Sequence, residues 1–305
     1  MIGLIADRLL QAALALLLLS MAVFLLTRAT GSPLDLLLGQ NATQEDYARL
    51  EKELGLDKPL AVQYGIYLVR IVQGDLGRSA RSGDSVSALI LDRAPASAYL
   101  ALVATLIAFV GGVPLGVLAA VTRGRIWDTA ITAATVVCQA APSFWLGILL
   151  IDLFAVRLNI LPAGEFEDWR SIVLPALTLG LFGLGGVVRL VRTSMLEVLD
   201  SEFVKLARAK GVAERDVVMR HALRNAMLSV VTYIGIYFSI LVTLNAVVEV
   251  VFNWPGIGRM MFDAIVFRDF PLAQGMVLFA ASVTIVVNLF VDIAYSFLDP
   301  RIRRQ

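Results

Sequence analysis

"KLARAKGVAERDVVMRHALRNA", Lys205–Ala226, is the stretch from which the rest of the chain can be read. It holds six of the 26 Lys and Arg residues and the only histidine, His221. Apolar runs flank it at Ile172–Val191 and Met227–Phe252. A basic, helix-forming island between two such runs is the pattern of a chain that crosses a bilayer repeatedly and leaves charged loops in water.

The composition agrees. The chain has 305 residues, 58% of them hydrophobic, and a mean hydropathy of +0.79. A soluble domain is usually about 45–50% apolar. Further runs at Leu9–Leu26, Ala96–Val121, Thr129–Val156 and Leu272–Leu298 also approach or exceed the ~18–20 residues that cross a bilayer as a helix. The expected fold is therefore an all-α polytopic membrane protein with six transmembrane helices. The first run follows Arg8 and outlasts the roughly 7–15-residue core of a cleaved signal peptide, so it reads as a retained span.

Lys and Arg in the short loops set the orientation. One side collects Arg8, Arg123, Arg125, the Arg192–Arg224 cluster, Arg301, Arg303 and Arg304, and is predicted to be cytoplasmic with both termini. The expected order is a first span over residues 1–28 and an extracytoplasmic segment over 29–95. A five-helix core over 96–298 carries a cytoplasmic loop at 200–225, and a cytoplasmic tail occupies 299–305. Within 29–95, an amphipathic helix at Gln44–Gly55 and a second short helix at "YGIYLVRIVQGDLG" predict a small folded unit.

Composition and motifs also exclude function classes. A net charge of +1 gives no bulk signal for nucleic acid. Cys138 is the only cysteine, which rules out an intrachain disulfide, and with a single histidine it offers no Cys/His metal site. No G-x-x-x-x-G-K-[ST] phosphate loop, H-E-x-x-H or G-x-S-x-G occurs. The chain thus shows no recognisable means of binding ATP phosphates and no catalytic constellation, and no cofactor of its own is expected.

Within the island, Asp200 or Ser201 is placed to cap a first helix, and Phe203, Leu206 and Ala207 share one face. Gly211 suits the left-handed position that stops a helix. A second helix is expected from Ala213 through Asn225, with Asp216 and Arg220 paired four residues apart. Three readings remain open: a charged loop that sets topology, an interfacial helix on anionic lipid, and a docking element for a soluble protein. The glycine joint and small residues favour docking.

Asp152, Glu249 and Asp292 lie in the apolar runs, and structural pairing or capping is the expected role of each. Gln139, Ser143, Thr178, Asn245 and Asn288 are the softer polar groups that suit a solute pathway. Pro114, Pro142 and Pro175 are expected to bend helices, and Gly183, Gly185 and Gly186 to permit close packing.

"EFVKLARAKGVAERDVVMRHALRNA" resembles the coupling loop of dipeptide/oligopeptide-type ABC importer permeases. So do "LGLDKPLAVQY", "GDLGRS", "LPALTLG", "VFNWPGIGRMMFDAI", "RDFP" and "DPRIR", in order, over nearly the whole chain. The resemblance implies a type I importer permease fold. It implies ATPase-coupling roles for Glu202, Ala207, Arg208, Ala209, Lys210, Gly211, Arg220, His221, Arg224 and Asn225. It also implies two cytoplasmic ABC ATPase subunits or domains that hold ATP and Mg, a second homologous permease, an extracytoplasmic substrate-binding protein, and a bacterial inner membrane. Three positions depart from the family pattern: Lys205 stands where the broader motif has Glu, Ala213 where Ser is common, and Ser229 where a proline is common. The alternative without that resemblance is an ion-coupled secondary carrier, which would want several buried carboxylates near the membrane midplane.

Overall fold

A computed structural model describes residues 2–30, 57–166 and 168–298, with isolated positions 43, 45, 49 and 52 between. The expected helix at Gln44–Gly55 and the tail at 299–305 lie outside the described residues. In chain order the helices are α1 (Ile2–Thr30), α2 (Leu60–Val72), α3 (Val86–Val121), α4 (Ile126–Ala140) and α5 (Ser143–Leu150). Then come α6 (Val173–Leu199), α7 (Glu202–Ala209), α8 (Glu214–Thr243), α9 (Ala246–Val251), α10 (Ile257–Val266) and α11 (Phe270–Leu298). Among the described residues the only β pairing is an isolated bridge between Arg78 and Ser85.

Four segments are long and apolar enough to cross a membrane: α3, α6 with its lead-in turn, α8, and Phe270–Val291 of α11. α4 and α5, the latter extended by the π-helical stretch Ile151–Arg157, pass the same test as a bent pair, and α1 holds a shorter apolar stretch, Leu10–Leu26. Each expected run thus coincides with a helix or helix pair, with several shifted limits. α3 begins at Val86, before its apolar run, and carries Pro95 and Pro114 without interruption. α8 ends before Asn245 rather than reaching Phe252, and the chain continues as the separate α9. Pro175 sits in the first turn of α6, where a missing N–H breaks no helical bond. Pro142 does more than kink its span, because α4 and α5 meet at 100°.

The chain divides into two units, Met1–Ala94 with Met260–Ile285, and Pro95–Arg259 with Val286–Gln305. In the first, Phe24 of α1 meets Tyr64 and Tyr67 of α2 with ring centroids 5.4 and 5.6 Å apart. Asp269 caps α11 through the Leu272 N–H at 3.2 Å. The same carboxylate accepts from the Ser79 hydroxyl and the Ala80 N–H, tying the 79–81 turn to that helix start.

The second unit is built around α6. Lipid offers no hydrophobic drive for helices to associate, so close contact must supply it. Gly112 and Gly116 of α3 let that helix approach α6: a Cβ on Gly116 would lie 2.6 Å from Val191 Cβ and 2.9 Å from the Val188 carbonyl oxygen. On α6 itself, Gly183 and Gly186 accept the rings of Tyr237 and Tyr233 from α8, and Gly185 accepts Gln139 from α4. The two tyrosine rings stack 5.9 Å apart, and Tyr237 Oη donates to the Leu179 carbonyl at 2.6 Å. Arg192 of α6 grips Asp128 in the first turn of α4 through Nε at 2.6 Å and Nη2 at 2.8 Å. Asp128 also accepts from the Gly124 N–H, and its side chain is only 7% exposed.

Two stability predictions follow from this packing. Gly116→Ala should lower stability by about 1–3 kcal/mol through overpacking, whereas Gly65→Ala, with nothing within 4 Å of the added methyl, should be neutral or slightly stabilising. Thermal unfolding of the purified proteins checks both. Arg192→Ala, which strands a buried carboxylate, should cost about 3 kcal/mol. Arg123→Ala, at the exposed Arg123–Asp200 pair, should cost under about 1 kcal/mol.

Candidate functional site

The island folds as helix, glycine, helix. α7 ends in a Schellman motif: the Gly211 N–H donates to the Arg208 carbonyl at 2.9 Å and the Val212 N–H to the Ala207 carbonyl at 3.2 Å. That geometry requires positive φ, and Gly211 has φ +80° with open space around it. Ser201 takes the N-cap position, but its hydroxyl bonds back to the Val198 carbonyl instead of capping α7. Ala213 is the N-cap of α8 and supplies no side-chain bond.

The second half of the island is not a separate helix. α8 runs as one 30-residue element from Glu214 to Thr243, with a π-helical stretch at Val217–Ala222 holding Arg220 and His221. Ser229 lies within it, and the helix passes straight from the island into the apolar run. α7 and the Gly211 joint therefore adjoin the base of a membrane-length helix directly.

The sequence groups residues of α7 on one face without saying which face packs inward. Val204 is fully buried, whereas Phe203 and Leu206 are 49% and 57% exposed. Val217, Val218, Ala222 and Ala226 are the buried residues of the adjoining α8 base. Helical spacing groups Phe203, Leu206 and Ala207 correctly, but that group faces away from this chain's own packing.

The coupling candidates fall into three sets. Glu202 pairs with Lys205 at 2.7 Å, and Arg220 with Asp216 at 3.3 Å. Arg208 makes a two-pronged pair with Glu214, Nε at 3.1 Å and Nη2 at 2.7 Å, bridging the two sides of Gly211. Ala209, Lys210, Gly211 and Arg224 are exposed, and Ala207 and His221 are half-buried. Asn225 Nδ2 donates to the His221 carbonyl at 2.7 Å. Glu214 escaped the sequence reading because it stands six residues from Arg208 with a glycine between, outside any helical spacing rule.

The pathway candidates separate. Gln139 and Ser143 line a cavity of ≈ 300 Å³ at the α4–α5 break, with Leu179, Phe182, Tyr237 and Ile240 among its walls. Thr178 is fully buried, donates to the Leu174 carbonyl at 2.8 Å and is not among the residues lining that cavity. Asn245 is buried between α8 and α9, and its Nδ2 has no hydrogen-bond partner among the described residues. Asn288 is exposed on α11. Asp152 pairs with Arg157 at 2.7 Å. Glu249 is buried and accepts from Ser97 Oγ at 2.6 Å and from the Arg259 N–H at 3.0 Å, capping α10. Both carboxylates are thus held by structural partners. The side chain of Asp292 lies outside the described residues.

The chain resembles known proteins over nearly its whole length. The chain is 39% identical to a protein of Brucella abortus described as a peptide transport system permease, over 99% of both chains. It is 38% identical, again over 99% of both, to a glutathione transport system permease protein of Salmonella choleraesuis. Among solved structures, the inward-facing MetNI methionine ABC transporter matches with a TM-score of 0.58 at 20% identity, covering 69% of this chain and 96% of that one. An amino acid ABC transporter matches with a TM-score of 0.51 at 15% identity, covering 70% and 94%. Residues 1–101 match the N-terminal family model of binding-protein-dependent transport system membrane components, and residues 112–304 match the inner membrane component model itself. With both models matched in sequence over nearly its full length, the chain belongs to the family of binding-protein-dependent transport system inner membrane components.

Proposed function

We propose that this permease subunit carries a peptide, or a small peptide-like solute such as glutathione, and that segment Glu202–Asn225 receives the stroke of an ATPase. The relatives named for peptide and glutathione transport support the cargo class. One observation carries the coupling role: Phe203 and Leu206 stand exposed on a short helix joined through Gly211 to a membrane-length helix. Apolar side chains at half exposure beside Lys210 and Arg224 fit a protein groove with an acidic rim.

In this reading both termini and the Glu202–Asn225 segment face the cytoplasm. Two ATPase subunits bind ATP and Mg and close on the segment, and a second permease completes the pathway. A substrate-binding protein delivers cargo from the other side. The Schellman stop keeps α7 at a fixed angle to α8, and the Arg208–Glu214 pair braces that angle. Closure of the ATPases on α7 therefore tilts α8, whose Tyr233 and Tyr237 are seated against α6. The pathway alternates between inward-open and outward-open.

The test is ATP-driven uptake of a radiolabelled dipeptide by the complete transporter in proteoliposomes. Uptake that requires the binding protein and ATP supports the assignment, and uptake driven by an ion gradient without the ATPases contradicts it. Gly211→Val should lower uptake roughly tenfold through strain at positive φ, and Gly211→Asn should be tolerated. Arg208→Glu should uncouple ATP hydrolysis from uptake, and Arg208→Glu with Glu214→Arg should restore coupling. Normal stoichiometry in Arg208→Glu would remove the brace from the mechanism.

A further inference from the structure

We infer that the cavity at the α4–α5 break receives an apolar side chain of the transported peptide, so that this chain takes part in selecting cargo. The inference rests on the peptide reading above. Irregular backbone at membrane depth is tolerated only where it is buried in protein or lines a water-filled cavity, so a broken span points to such a place. Here Pro142 lacks an N–H, so the Cys138 carbonyl loses its i+4 partner within the break.

The space is built for a particular chemistry. At ≈ 300 Å³ it stands at the lower end of ligand pockets, which run from about 300 to 1,000 Å³. Leu179, Phe182, Tyr237 and Ile240 give it apolar walls, and no charged residue lines it. A charged side chain entering would lose water without gaining a partner, whereas an aliphatic or aromatic one would be well matched. Gln139 and Ser143, at the break itself, supply an amide and a hydroxyl suited to the N–H and C=O of a peptide backbone. The cavity is reachable, since Phe182 and Ile240 remain 38% and 46% exposed. One wall is firm: Tyr237 is fixed by its hydrogen bond to the Leu179 carbonyl and by the space above Gly183.

The test compares two cargoes in the same reconstituted transporter with the same binding protein. Uptake rates of Leu-Leu and Gly-Gly are measured for the wild type, for Ala141→Trp, which fills the cavity, and for Phe182→Ala, which enlarges it. Because the binding protein is unchanged, any change in the Leu-Leu to Gly-Gly ratio arises in the membrane part. The ratio should fall roughly tenfold in Ala141→Trp, in line with exclusion of a few methylene groups, and should also fall in Phe182→Ala, which removes an apolar wall. Should Ala141→Trp fail to assemble, Phe182→Ala decides the matter alone. Equal losses for both dipeptides, or unchanged ratios, in a transporter whose wild type carries both would overturn the cavity assignment and leave the peptide reading standing. A wild type that carries neither would overturn both.

Discussion

Helices in lipid cannot be assembled by the hydrophobic effect, since the surrounding chains are as apolar as leucine. Contact area and a few strong polar bonds must do it. In this chain that constraint falls on α6. Gly112 and Gly116 bring α3 against it, Gly183 and Gly186 seat two tyrosines of α8, and Gly185 seats Gln139 of α4. At one end of the same helix, Arg192 closes on Asp128. Three neighbouring helices thus take their positions from one.

That arrangement gives the Gly211 joint its mechanical meaning. α8 is seated on α6 through Tyr233 and Tyr237, while its other end continues unbroken into the joint. The far side of the joint is α7, whose Val204 is buried and whose Phe203 and Leu206 stand outward. In the proposed mechanism a push on α7 would pass through this short stop and the Arg208–Glu214 pair into α8. The same helix carries Tyr237 and Ile240 in the wall of the cavity at the α4–α5 break. The proposed force input and the proposed cargo site therefore share one element.

Much of this was legible in the sequence, for local reasons. Apolar runs of bilayer length are a property of composition, and they fall on the observed helices. The Gly211 stop is a backbone preference of one residue, and φ +80° meets it. Other features depend on partners distant in sequence. Nothing local to Asp128 points to Arg192, 64 residues away. Proline at 142 announces a bend, but the angle of 100° depends on what packs against both halves. Periodicity groups Phe203 and Leu206 on a face without saying which face meets the protein, and the structure turns both outward. The end of α8 before Asn245 was missed because hydropathy continues through "AVVEVV" while the helix does not.

The central claim is that the outward face of α7 is covered by an ATPase and moves with it. It is tested most directly by cross-linking in the assembled transporter, with Cys138→Ala removing the native thiol and Leu206→Cys placing one on α7. A short thiol-reactive cross-linker should join the permease to an ATPase subunit bearing a cysteine at its docking groove, with a yield that changes on ATP binding. Val72→Cys, on exposed α2, should give no such adduct. A Leu206→Cys thiol that never reaches the ATPase, in a complex that still imports cargo, would contradict the claim.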